Sequence, residues 1–237
     1  MLRVSVIALL AIVLCGCGGG VRRKIENGIA RAMPEKIGRA KSYTVKVSGS
    51  TPAMIRGRMS GVEITGEEVR LAKGFTVARL DVSLKDLVVD THTQEIKRCA
   101  SAGYSATVSE GELGRYLAKR YRDIPGLEVT LARDCAHVVA NPGLAGVTVT
   151  VSADAALKVI KGRKLALEII RIDVAGLPTP GFAREFIEGR INPIFDAADL
   201  GFDAKIDSVR IDPGSLTITG TLDVAQSKVG ESIVDSR

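Results

Sequence analysis

Residues 56–90 read RGRMSGVEITGEEVRLAKGFTVARLDVSLKDLVVD, and their rhythm decides the fold. Apolar side chains alternate with polar or small ones through SGVEITG, VRLAKG and VARLDVSLKDLVVD, with glycine punctuating the runs. A period of two sends successive side chains to opposite faces, so each run is a strand with one apolar side.

The same alternation continues in both directions. Upstream it holds in YTVKVSGS (43–50). Downstream it returns in YSATVS (104–109), GLEVTLARD (126–134), GVTVTVSADAALKVI (146–160), KLALEIIRIDV (164–174), FDAKIDSVRID (202–212) and SLTITGTLDV (215–224). Lys161-Gly162-Arg163 and Asp212-Pro213-Gly214-Ser215 carry hairpin turn residues. Within KLALEIIRIDV the apolar phase slips at Ile169-Ile170, the mark of a bulge or of a strand crossing between two covered faces. About ten one-sided strands predict a long antiparallel sheet.

Three segments break this period. Residues 21–40 place Val21, Ile25, Ile29, Met33 and Ile37 on one helical face, with Pro34 expected to kink or interrupt the helix. SEGELGRYLAKRY (109–121) opens with Ser109 and Glu112 at capping-box spacing. TPGFAREFIEGRINPIFDAADL (179–200) starts with a Thr-Pro cap and carries Phe182, Phe186, Ile187, Ile191, Ile194, Phe195 and Ala198 as a broad apolar stripe, with a kink expected at Pro193. The fold class is α+β, a long twisted antiparallel sheet with amphipathic helices packed on it.

The N-terminus, MLRVSVIALLAIVLCGCGGG, has one early arginine, an apolar run from Val4 to Leu14, and small residues around two cysteines. That run suits a secretory signal and is too short to cross a bilayer. Leu14-Cys15-Gly16-Cys17 resembles a bacterial lipobox, which implies a signal peptide over 1–16, cleavage after Gly16 and an acylated Cys17 tethered through glycines to residue 20. An ordinary signal with incidental cysteines, or an uncleaved anchor, is the other reading. The lipobox reading places the protein in a bacterial cell envelope, anchored on the extracytoplasmic side of a membrane. A mature domain over 21–224 and a C-terminal tail over 225–237 complete this organisation.

Removing residues 1–16 changes the formal charge from +6 to +5, with 32 basic against 27 acidic side chains. The basic residues are scattered and tryptophan is absent, so nucleic acid is an unsuitable partner. A mildly basic surface suits anionic lipid headgroups better. Cys99 and Cys135 lie in strand-like segments. In an exported compartment they are either a disulfide pair, closing a loop of about 36 residues for roughly 4 kcal/mol, or two separate buried thiols.

The catalytic inventory is short. His92 and His137 lie near Asp90 and Asp134, but neither HExxH nor HxxxH spacing occurs, and a lone D-x-H in a turn is ordinary surface. No nucleophile elbow, Walker loop or dinucleotide fingerprint follows a strand. The sequence reads as a protein without an enzyme's machinery, a metal or a cofactor.

Residues 56–90, then ATVSEGELGRYLAKR (106–120) and the strand pair around Lys161-Gly162-Arg163, together resemble the LmeA-like family of exported phospholipid-binding proteins. The resemblance covers roughly residues 21–224. It implies a fold similar to the tubular lipid-binding (BPI-like) domains, with a twisted sheet wrapped around helices and an apolar channel. It also implies a phospholipid or another acyl-chain lipid as partner, and a role in envelope lipid handling or transport. No invariant binding residue comes with the resemblance. From the stripes themselves, the expected groove is Phe182, Phe186, Ile187, Ile191, Ile194 and Phe195 with Val147, Val149, Val151, Leu165 and Leu167. The alternative is a structural or assembly lipoprotein with a closed core, because the same stripes serve either purpose.

Overall fold

A computed structural model describes residues 19–224 apart from 72–73, 94, 123, 145–146, 176, 179–187, 190–191 and 198–202, and apart from the side chains of 143–144, 147 and 177–178. The alternating stretch at 56–90 becomes β2 (Arg58–Arg70) and β3 (Thr76–Val89), the paired centre of the larger sheet. That sheet runs β1 (Ser42–Ser48), β2, β3, β5 (Ser101–Ser109), β15 (Ser215–Leu222), β14 (Ala204–Asp212), with β4 (Ile96–Arg98) paired to the end of β3. A second sheet runs β12 (Leu177–Pro178), β11 (Lys164–Val174), β10 (Val151–Ile160), β7 (Cys135–Ala140), β6 (Glu128–Ala132), with β13 (Phe195–Asp196) also on β11. β8 (Gly143–Leu144) and β9 (Val147–Thr148) form a small pair. Strand dominates helix, and the large sheet curls into a half-barrel.

The curl has a residue-level cause. Opposed buried pairs along β2 and β3 are Met59–Leu87, Val62–Leu84, Ile64–Val82 and Val69–Val77. Met59 to Val62 and Leu84 to Leu87 are steps of three rather than two, so both strands change parity together without losing register. Asp86 (φ 49°) sits in one such step, and Glu68 (φ 49°) sits in another, between the buried Gly66 and Val69. A left-handed residue at each point turns the strand so that the apolar face keeps facing inward.

Among the described residues α1 (Gly19–Lys36), α2 (Thr51–Ile55) and α3 (Glu110–Arg120) accompany the sheets. α1 lays Ile25, Ile29 and Met33 against Val45 and Val47 in the core. It also covers the outer edge of β1, where the Val47 N–H donates to Glu26 Oε1 at 3.0 Å and Arg22 Nη2 donates to the Gly49 carbonyl at 3.1 Å. An edge strand's unpaired groups are thereby satisfied. The helix starts at Gly19, so two of the glycines expected as a free tether are already helical. It also runs through Pro34, which falls in the last turn, and ends at Lys36 rather than at residue 40. α2 follows β1. α3 is capped as its spacing predicts, with the Glu112 N–H donating to Ser109 Oγ at 3.3 Å. Glu112's own carboxylate turns to Arg115 instead of closing the box.

Both expected hairpins form, with Lys161 and Gly162 at φ 52° and 64° and Gly214 at φ 76° after Pro213. The bulge lies where the phase slips: Asp154 faces Arg171, Ala155 faces Ile169, and Ile170 is left out and exposed. The end of the expected 179–200 helix is different. Phe195–Asp196 is strand, paired with Lys164–Leu165, and Asn192 inserts its amide into the edge of β11, accepting from Leu167 N at 2.7 Å and donating to Leu167 O at 2.8 Å. The open edge of β11 needs partners, and this pairing outweighs the helical period in the sequence. The two sheets meet through Ile206 N to Gly162 O at 2.7 Å, Gly214 N to Leu131 O at 3.0 Å, and an Arg163–Asp203 ion pair.

No disulfide joins the two cysteines, which are free and half-buried. Cys99 Sγ lies at the β4–β5 turn of the large sheet, donating to Ser101 O at 3.2 Å, while Cys135 opens β7 in the second sheet opposite Ala132. The paired reading of the cysteines therefore gives way to separate thiols. Burial also pushes the Cys99 thiol above its ordinary pKa, which keeps it protonated.

Candidate functional site

The half-barrel does not close on α1. Between them lies an apolar cavity of about 200 Å³. One wall is α1, through Ile25, Ile29 and Met33 of the stripe seen in the sequence, with Ile37 just beyond its end. The other is the concave face of the sheet: Met59, Val62 and Ile64 from β2, Leu80, Val82, Leu84, Leu87 and Val89 from β3, and Tyr104 from β5. Met54 of α2, Ile96 of β4, Leu222 at the end of β15 and Val224 beyond it complete the apolar lining. From Leu80 to Val89 the cavity follows nine strand steps, at most ~30 Å at strand rise.

Its chemistry is uniform. Polar liners are few, namely Lys36, Thr91, Asp203 and Asp223 with the backbone of Gly57, and Thr91 and Asp203 are exposed. No charged or polar side chain is buried among the described residues. Among the described residues Tyr104 is the one aromatic ring in the wall. Burial, with Asp207 nearby, pushes its hydroxyl pKa up to about 12, so it stays neutral. Three of the chain's four methionines, Met33, Met54 and Met59, face this space. Unbranched and polarizable, methionine adapts to occupants of variable shape. That clustering was a signal present in the sequence and not used.

The residues expected from sequence to line a groove are only partly described, and those described lie away from this cavity. Phe182, Phe186, Ile187 and Ile191 are outside the described residues, as is the side chain of Val147 and as are Cys17 and the signal segment. Leu165 is 2% exposed in a closed part of the core. Phe195 stacks at 5.6 Å on Phe75, which in turn meets Tyr116 edge-on at 4.9 Å. Ile194 packs beside them, Val149, Val151 and Leu167 are half-buried, and none of these six residues borders the cavity.

The titratable pairs have structural explanations. Asp90 accepts from His92 N at 2.8 Å and Thr93 N at 3.1 Å and pairs with Lys97 at 2.5 Å. The lysine first, then the two amides, hold its carboxyl well below the usual carboxylate range. It organises a turn. His137 Nδ1 meets Asp154 Oδ1 at 2.7 Å across β7 and β10, with both side chains exposed. Among the described residues no three His, Cys, Asp or Glu converge as a metal would require, and no helix is long and apolar enough to cross a membrane.

Residues 18–221 match the LmeA-like phospholipid-binding family, and the chain belongs to that family. No curated protein and no solved structure matches it.

Proposed function

We propose that this LmeA-like chain is a membrane-tethered, non-catalytic lipoprotein that holds phospholipid by an acyl chain in the cavity between α1 and the curled sheet. In this reading Cys17 carries the anchor, the protein faces the extracytoplasmic side of a bacterial membrane, and it handles or transports envelope lipid in a BPI-like tubular arrangement. The observation that carries it is the continuous apolar lining, with three methionines and a length of at most ~30 Å along β3. One leaflet of a bilayer core is about 15 Å thick, so an extended acyl chain fits that length. The volume is below the ~300 Å³ at which sites for drug-sized ligands begin, which suits one chain with its headgroup outside rather than a whole lipid inside. A closed-core assembly lipoprotein has no use for such a space.

Native mass spectrometry after gentle extraction tests this directly, with co-purifying phospholipid the expected result. Met33→Trp should fill the cavity with a rigid ring, abolishing uptake of a fluorescent phospholipid while circular dichroism still shows a folded protein. A wild-type protein that is empty and takes up no lipid sinks the reading. Fatty-acid labelling that survives Cys17→Ala removes the anchor.

A further inference from the structure

We infer that the end of the half-barrel formed by α2 and the first turn of α1 is the face that docks on an anionic phospholipid bilayer. Cross-strand register places the relevant parts together: Ser48 faces Gly61, Gly61 faces Lys85, Lys85 faces Ser101, and Gly103 faces Thr221. Thr91 and Asp203, the exposed residues of the cavity wall, lie at this same end. The cavity therefore opens where the docking face is.

Two features of that face go beyond what the fold uses, although Arg22 also ties α1 to the Gly49 carbonyl. α1 begins with Arg22 and Arg23, both exposed, and its first turn holds no acidic residue. Cations at a helix N-terminus oppose the helix dipole, so helix stability does not account for them. α2, tied to α1 through the Arg22 contact with Gly49, leaves Ile55 44% exposed and is followed by exposed Arg56 and Arg58. An exposed apolar side chain followed in sequence by exposed arginines is the composition of an interfacial membrane contact. The acidic groups at this end are Asp203, a cavity liner paired with Arg163, Asp223, also a liner, Asp90, paired with Lys97, and Asp86 and Glu95. Cys17, the candidate acylation site, immediately precedes α1, so a tether would leave the protein from the same face. This inference rests on the lipid-binding reading, because it gives the cavity its route to the bilayer.

The chain has no tryptophan, which makes a single introduced one an unambiguous reporter. Ile55→Trp and, as control, Ile170→Trp at the exposed bulge of β11 are mixed with vesicles of phosphatidylglycerol and phosphatidylcholine carrying brominated acyl chains. Ile55→Trp fluorescence should be quenched and Ile170→Trp fluorescence should not, and pure phosphatidylcholine should quench neither. In the chain carrying Cys17→Ala, Arg22→Gln and Arg56→Gln should each weaken vesicle affinity roughly five-fold. Equal quenching of both reporters, quenching of Ile170→Trp alone, or binding indifferent to these charges overturns the docking face. Uptake of a soluble fluorescent fatty acid, measured on the same variants, separates the two ideas. Uptake without quenching defeats only the docking, and quenching without uptake supports the docking while defeating the cavity.

Discussion

A side chain at Gly220 would collide with its neighbours: a Cβ there would lie 1.9 Å from the Lys205 carbonyl oxygen and 2.7 Å from the Tyr104 ring. Tyr104 covers this glycine on the inner face of the sheet, so the aromatic wall of the cavity depends on the missing Cβ. Gly220→Ala should cost ~1–3 kcal/mol through overpacking. Gly103→Ala, whose Cβ would meet only the Gly220 carbonyl at 3.7 Å, should be nearly neutral in the same denaturant titration. Equal midpoints for the two variants would disprove this account of the wall. The tyrosine hydroxyls give a second prediction. Burial raises Tyr43 and Tyr104 to about 12 against an ordinary 10.0. A raised folded pKa means that this contribution to stability is complete below pH 10 and is lost as pH rises through 12. In an absorbance titration, Tyr43→Phe and Tyr104→Phe should each remove signal from the step near 12. A variant that loses amplitude near 10 instead would show that the ring is solvated.

At the level of elements, much was legible because it is encoded locally. The α1 stripe, the α3 cap, the two hairpins and the bulge at Ile170 each follow from a few adjacent residues, and each is found in place. The parity changes at Glu68 and Asp86 were not legible, since they work only when the partner strand shifts with them. Phe195–Asp196 was misread for a similar reason. Its helical spacing is real, but the edge of β11 offers backbone partners that no local pattern reveals. The hold of α1 on β1 is likewise nonlocal, through Glu26 and the Val47 N–H. Glu26→Ala leaves that buried edge amide without its charged acceptor, a loss of ~1–3 kcal/mol. Hydrogen exchange should show Val47 opening faster in Glu26→Ala, with Glu26→Gln close to wild type. Unchanged Val47 protection in Glu26→Ala would mean that packing alone seats the helix.

For the whole molecule, the cavity escaped the sequence because apolar stripes facing a closed core and a ligand are the same stripes. Only the three-dimensional gap between α1 and the half-barrel separates Ile29, which faces that gap, from Leu165, which does not. The gap has an energetic consequence. Its lining is almost wholly apolar, so without an occupant its walls face empty space or poorly held water. At ~24 cal/mol per Å³ a void of about 200 Å³ corresponds to a ceiling of ~5 kcal/mol. For a domain of this size each kcal/mol moves Tm by roughly 2–4 °C. Stripping bound lipid on a hydrophobic resin should therefore lower Tm by up to ~10–20 °C, and adding phospholipid back should restore it. Leu165→Ala should cost ~2–5 kcal/mol in both the loaded and the stripped protein, because its site is closed in either state. Met33→Trp should behave oppositely, melting alike before and after stripping because its ring occupies the space the lipid leaves. A wild-type Tm that does not move, in protein shown by mass spectrometry to have lost its lipid, would mean that the cavity collapses without cost and is no binding site.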